Sequence, residues 1–217
     1  MAKPPSRRSS SGEIAQFLQI SKASATVVER QPRLIFAIDA TASRQPTWDS
    51  ACHLQHQMFQ ATANIASLSI QLCYYRGFND FYASPWLSDS ERLGQVMAGV
   101  YCEGGHTQIA RLLQHALTEQ RRGKVRALVF IGDALEENPD NLCDWAGQCG
   151  LLQLPLVLFQ EGHDRQVQQT FRSMARLSGG AYANFDANSA HTLAALLGAV
   201  ASYAAGGRAA LENTTGD

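Results

Sequence analysis

From Arg33 onward, short runs that are apolar at almost every position alternate with longer segments in which apolar residues recur every three to four positions. The runs "LIFAID", "LSIQLCYYRG", "ALVFIGD" and "LPLVLFQEG" leave neither face polar, so each is expected as a strand covered by helices on both sides of a parallel sheet. Two shorter stretches, "FYASPW" and "GAYANFD", are expected as edge strands. Pro85 in the former cannot donate to a ladder and is easiest to place at an edge.

Between the runs, Trp48, Ala51, Met58, Phe59, Ile65 and Ala66 trace one helical stripe, and Leu93, Val96, Met97 and Val100 a second. Ile109, Leu112, Leu113, Ala116 and Leu117 trace a third. Asn138 followed by Pro139 marks the start of a fourth helix, where the missing proline N–H costs nothing. Asp164 opens a fifth that closes at "SGG", and Leu193, Leu196, Leu197, Val200 and Tyr203 give a last stripe within Ala187 to Gly207.

Strands separated by helices of this length predict a doubly wound, mostly parallel six-stranded α/β sheet with helices on both faces. Ligands of such sheets sit at the carboxyl ends of the strands, where the strand order reverses. In the order 3-2-1-4-5-6, strands one and four are neighbours at that point. A chain of 217 residues holds one such core. We expect a flexible tail and a short helix over residues 1–30, the α/β domain over 31–207 and a second tail over 208–217.

Composition removes several classes of function. A formal net charge of −1 and 17% charged residues leave no electrostatic footprint for nucleic acid or an anionic membrane. The uncharged segment Ala187 to Gly207 is dominated by Ala, Gly and Ser and reads as a helix laid on the sheet, not a membrane span. The 5 cysteines are scattered, without zinc-like spacing, and imply reduced thiols in a reducing compartment. No apolar stretch follows the basic residues of the N-terminus, so a cytoplasmic location is expected.

The candidate chemistry sits at strand ends. Asp39 ends the first long run and is followed by Thr41 and Ser43; Asp133 ends "ALVFIGD". A carboxylate closing a buried strand needs compensation. In the order above the two aspartates face each other across the crevice. "CEGGHTQIARLL" adds Thr107, placed at the cap or first turn of a helix after the permissive pair Gly104 and Gly105. Asp39, Thr41, Ser43, Thr107 and Asp133 form an all-oxygen set with only Arg44 close in sequence to neutralise it. Such a set suits a hard divalent cation, Mg2+ first, with Mn2+ or Ca2+ as alternatives.

This constellation resembles the metal-ion-dependent adhesion site of von Willebrand factor type A domains. Their Asp-x-Ser-x-Ser motif is matched by Asp39, Thr41 and Ser43, their Thr after a Gly-rich loop by Thr107, and their Asp after a long apolar strand by Asp133. The resemblance spans roughly Arg33 to Gly206 and implies that the short third strand, "FYASPW", runs antiparallel at the edge. It also implies a module that binds a partner protein by offering the metal's open position to an Asp or Glu, with Gly105, His106 and Arg44 flanking the contact. Bacterial relatives suggest an ATPase or a stress-response assembly as the partner. The third motif reads "GDALEE" where the family usually has Thr-Asp-Gly, which leaves open a contribution from Glu136 or Glu137.

Two other readings remain. Asp39 could act as the nucleophile of a Mg2+-dependent hydrolase, but the second Asp expected two positions later is Thr41, and neither a nucleophile elbow nor a phosphate-binding loop occurs. Alternatively the domain is structural and its metal site silent. No enzyme activity is expected.

Overall fold

The computed structural model describes residues 31–46, 48, 49, 68–185, 198–201 and 204. All of these but Gln31 fall in one compact unit that begins at Pro32. Its strands are β1 (Arg33–Asp39), β2 (Ser69–Arg76), β3 (Asp80–Ala83), β4 (Val125–Gly132), β5 (Leu156–Glu161) and β6 (Ala181–Phe185). The described helices are α1 (Ser90–Ala98), α2 (Ile109–Arg122), α3 (Pro139–Leu151) and α4 (Arg165–Ser178), with a 3-10 turn at Ala42–Arg44. The short helix expected within 12–30, both tails, and most of the first and last helical stripes lie outside the described residues. Of those stripes, Trp48 and Val200 are described and buried, as are Ala201 and Ala204 of the last segment.

The strands form one sheet in the order β3-β2-β1-β4-β5-β6. Every pairing is parallel except β2 with β3, which is antiparallel. β1 therefore lies where the order reverses, between β2 and β4, with Asp39 opposite Tyr75 and Ile38 opposite Ile131.

Alternation along β1 explains both core layers. Leu34, Phe36 and Ile38 point into a cluster with Trp48, Leu93, Met97, Val200 and Ala201. Ile35 and Ala37 point into the opposite cluster, filled by Ile109, Leu113, Leu142, Phe171 and Met174 of α2, α3 and α4. Burial on both faces is why these strands read as unbroken apolar runs.

Local chemistry sets the ends of the elements. Asn138 caps α3 by accepting from Asp140 N and Asn141 N, and Asp164 caps α4 by accepting from Val167 N. Gly179 closes α4 in the left-handed region at φ 70°. At the sheet edge the strand is shorter than "FYASPW": β3 stops at Ala83, before Pro85. The Ser84 hydroxyl accepts from Leu72 N at 3.0 Å, and Leu87 bridges back to Ile70. Among the described residues, no helix is long and apolar enough to cross a membrane.

Candidate metal centre

The carboxyl ends of β1, β2 and β4 meet at one edge, and three loops close over it. Asp39, the last residue of β1, is fully buried. Its Oδ1 accepts from Thr41 N at 2.7 Å, and its Oδ2 accepts from the Tyr75 hydroxyl at 3.2 Å. The chain turns over the carboxylate, so the Thr41 backbone caps Asp39, and the 3-10 turn after it carries Ser43 outward. Ser43 Oγ then donates to Asp133 Oδ2 at 3.1 Å, across 90 residues of sequence.

Asp133 is the first residue past β4, half-buried, with Oδ1 shielded from solvent. It follows Gly132, where a Cβ would stand 3.8 Å from Asp39 Cβ and 2.8 Å from Phe130 Cζ. A glycine there leaves room for the Phe130 ring beneath the strand end. The structure thus brings Asp39, Thr41, Ser43 and Asp133 to one place.

Thr107 arrives on a loop pinned to the same edge. Ala40 N donates to Tyr75 O at 3.0 Å, and Glu103 N donates to Ala40 O at 3.0 Å. His106 N reaches Gly77 O at 3.1 Å, and Gln45 Oε1 accepts from Cys102 N at 3.0 Å. Gly77 stands at φ 56°, and a Cβ on Gly105 would overlap the Gly77 carbonyl, so backbone meets backbone at this crossing.

Thr107 does not cap α2. The helix begins at Ile109 with Gln108 as its N-cap residue, and no side-chain cap bond comes from Gln108. The cap is supplied from 28 residues away: Glu137 Oε2 accepts from Ile109 N at 2.6 Å and Oε1 from Ala110 N at 2.8 Å. Glu136 Oε2 accepts from Thr107 N at 2.7 Å, while Glu136 N donates to Thr107 Oγ1 at 3.1 Å. The carboxylates complete the α2 N-terminus, where a positive dipole end and open N–H groups favour them.

Tyr75 joins the two halves. It is fully buried, and its phenol is pushed well above its ordinary value by burial first, then by the charges of Asp39, Glu137 and Asp133. Of these carboxylates, Asp39 is the one hydrogen-bonded to the Tyr75 hydroxyl, at 3.2 Å. Burial likewise pushes the Glu137 carboxyl up, against the pull of the Ala110 and Ile109 amides and of Thr107.

Of the flanking residues, His106 is exposed, packs edge-on against Phe78 at 5.1 Å and has Nδ1 3.4 Å from Glu136 Oε2. Gly105 serves the crossing with Gly77. Arg44 closes the 3-10 turn, and its side chain lies outside the described part. Sequence reasoning missed Tyr75 altogether and left Glu136 and Glu137 open. The acidic pair Glu136-Glu137, three and four residues after Asp133 in "GDALEE", was the available signal for the latter two.

Among the described residues, no three His, Cys, Asp or Glu side chains are grouped to hold a metal. The candidate set is of another kind, two carboxylates with hydroxyls, and its hard oxygen donors fit Mg2+ or a similar cation.

In strand order and the direction of its edge strand, the chain has the fold of von Willebrand factor type A domains. It superimposes on a von Willebrand factor type A protein from Catenulispora acidiphila with a TM-score of 0.66 at 13% identity, over 80% of this chain and 42% of that one. The chain thus spans less than half of that protein. The SpRpn10 VWA domain gives 0.61 at 14% identity, over 78% of this chain and 95% of that domain. The vWF domain of the type V pili tip protein Mfa5 from Porphyromonas gingivalis gives 0.64 at 9% identity, over 80% and 94%. No family model and no curated protein sequence matches the chain.

Proposed function

We propose that the protein is a metal-dependent protein-binding module. Asp39, Thr41, Ser43, Thr107 and Asp133 hold a Mg2+ ion, and the partner contributes an Asp or Glu. The observation that carries this reading is the Ser43–Asp133 hydrogen bond at 3.1 Å beside the buried Asp39, which gathers hydroxyl and carboxylate oxygens from two neighbouring strand ends. When bound, the cation supplies an electrophilic position that can accept a partner's carboxylate. The residues do the rest: Tyr75 and Thr41 N orient Asp39, Ser43 aligns Asp133, and the loop from Glu103 to Thr107 forms the rim.

The module binds and releases its partner without chemical turnover. Among the described residues Cys73, Cys143 and Cys149 are free thiols, in keeping with a reducing, cytoplasmic setting. The pilus relative shows that the fold also occurs outside such a setting.

Isothermal titration of Mg2+ and Mn2+ into metal-stripped protein tests the reading, with Asp39→Ala and Ser43→Ala beside the wild type. One saturable site, lost in Asp39→Ala and weakened in Ser43→Ala, is expected. A folded wild type that takes up no cation would overturn it.

A further inference from the structure

We propose that the outer face of α3 and α4 is a self-complementary surface that pairs two copies of this chain about a two-fold axis. α3 ends at Leu151 and α4 at Ser178, shortly before β5 and β6 begin at Leu156 and Ala181. The face therefore reaches the amino ends of those strands, opposite the edge that holds Asp39 and Asp133. The inference stands apart from the metal reading.

The face has an apolar centre. Leu151 is 85% exposed, the most of any large apolar side chain among the described residues, and Leu177 is 45% exposed. Both line a cavity of about 640 Å³ together with Cys143, Asp144, Gly147 and Gln148. The two glycines of α3 differ here. A Cβ on Gly150 would overlap the Leu177 carbonyl, so that glycine is explained by the crossing of the two helices. A Cβ on Gly147 meets nothing within 4 Å, so nothing inside the chain calls for a poor helix former there. Gly147 lies one turn before Leu151 and leaves a hollow beside it.

Charge identifies the occupant. α3 carries Asp140 and Asp144 and no Lys or Arg, whereas α4 carries Arg165, Arg172 and Arg176 and no Asp or Glu. Each set recurs at helical spacing, and all five side chains are exposed. Among the described residues none of the five is in a salt bridge, and Arg172 lies over the Tyr182 ring at 5.1 Å. A partner of uniform charge would set one of these helices against its own sign. A second copy does not: a two-fold axis running along the helices lays α3 of each copy on α4 of the other. Counted back from the crossing of Gly150 and Leu177, Asp144 and Arg172 stand at nearly the same level, as do Asp140 and Arg165. Acid then meets base on both flanks, while Leu177 of one copy meets Leu151 and the Gly147 hollow of the other. Such reciprocal contact is what an isologous interface requires, with an apolar core inside a charged rim. Both carboxyl edges remain free, so the dimer presents the candidate metal centre twice.

Sedimentation velocity of the full chain over a dilution series, at low and at raised salt, tests the proposal. A monomer in equilibrium with a species of twice its mass is expected, with the balance moved toward monomer by salt. Leu151→Gln removes the apolar centre from an exposed position and should weaken the dimer by about tenfold or more. Asp144→Arg and Arg172→Glu should each weaken it about tenfold, because the two-fold repeats every like-charge contact, and the combined variant should return to within about threefold of wild type. Melts at concentrations where the wild type is monomeric check that the variants fold. If Arg172→Glu does not, Asp140→Arg with Arg165→Glu repeats the exchange one level further along the helices. A wild type that sediments as a monomer throughout the series would overturn the proposal. So would a dimer that Leu151→Gln leaves intact, since the contact would then lie on another face. Single reversals without effect, or losses that multiply in the combined variant, would overturn the pairing of α3 with α4.

Discussion

Tyr75 and His115 show how single side chains are set by what surrounds them. Asp39 is fully buried, and its charge is compensated in part by the Tyr75 hydroxyl at 3.2 Å. Hydrogen bonds to charged groups contribute about 1.5–3 kcal/mol, so Tyr75→Phe should lower the unfolding free energy by that amount. The urea midpoint should fall while the slope stays constant. An unmoved midpoint would mean that the hydroxyl does not compensate Asp39. His115 lies on α2 with Nε2 2.9 Å from Gln71 Oε1. Burial lowers its basicity first; Glu119 opposes that shift and Arg122 adds to it. The imidazole therefore stays neutral in the fold at a pH where the unfolded chain's histidine, near 6.5, is already protonated. The stability this supplies is complete above that pH and is lost as pH falls below it. His115→Gln should flatten the decline in unfolding free energy between about pH 7 and 5. An equally steep decline would place its origin elsewhere.

Elements bring a second kind of constraint, visible where loops cross. Gly104 and Gly105 look equivalent in the sequence, yet a Cβ on Gly104 meets nothing within 4 Å, whereas one on Gly105 overlaps the Gly77 carbonyl. Gly105→Ala should therefore destabilise by about 1–3 kcal/mol, the range for forced overpacking, while Gly104→Ala should be close to neutral. Thermal melts of the two variants side by side check this, and equal effects would refute the crossing. The same distinction explains what could be read from the chain. Apolar runs, Asn138-Pro139 and the Asp164 cap act within a few residues, so the sheet, α3 and α4 were legible. Asp39 and Asp133 were legible because a charge ending a buried strand is conspicuous. Thr107 is expected at the cap or first turn of a helix because a threonine before a helical stripe usually sits there. The Glu137 carboxylate that takes over the task comes from another loop, and no local pattern announces it. Tyr75 was hidden for the same reason: only the pairing of β2 with β1 sets it opposite Asp39.

At the scale of the whole molecule, folding and ligation pull in opposite directions at the site. Asp39, Asp133 and Glu137 all act on the Tyr75 phenol, so three carboxylates share one edge of the sheet. Like charges gathered at one edge repel one another. Asp133→Asn keeps an oxygen to accept from Ser43 and removes one negative charge. In metal-free protein it should therefore be as stable as wild type, or slightly more stable. Adding Mg2+ should reverse the ranking. A cation that binds only the folded chain stabilises it by about 2.7 kcal/mol at a hundredfold excess over its dissociation constant. That corresponds to a rise in melting temperature of roughly 5–10 °C for a domain of this size. Wild type should gain this rise and Asp133→Asn should lose most of it, so the two melting curves should change order when Mg2+ is added. Electrostatic strain relieved by a bound cation predicts that crossing, whereas a purely structural Asp133 predicts a variant less stable under both conditions. Melts of both proteins in chelator and in excess Mg2+ decide between them.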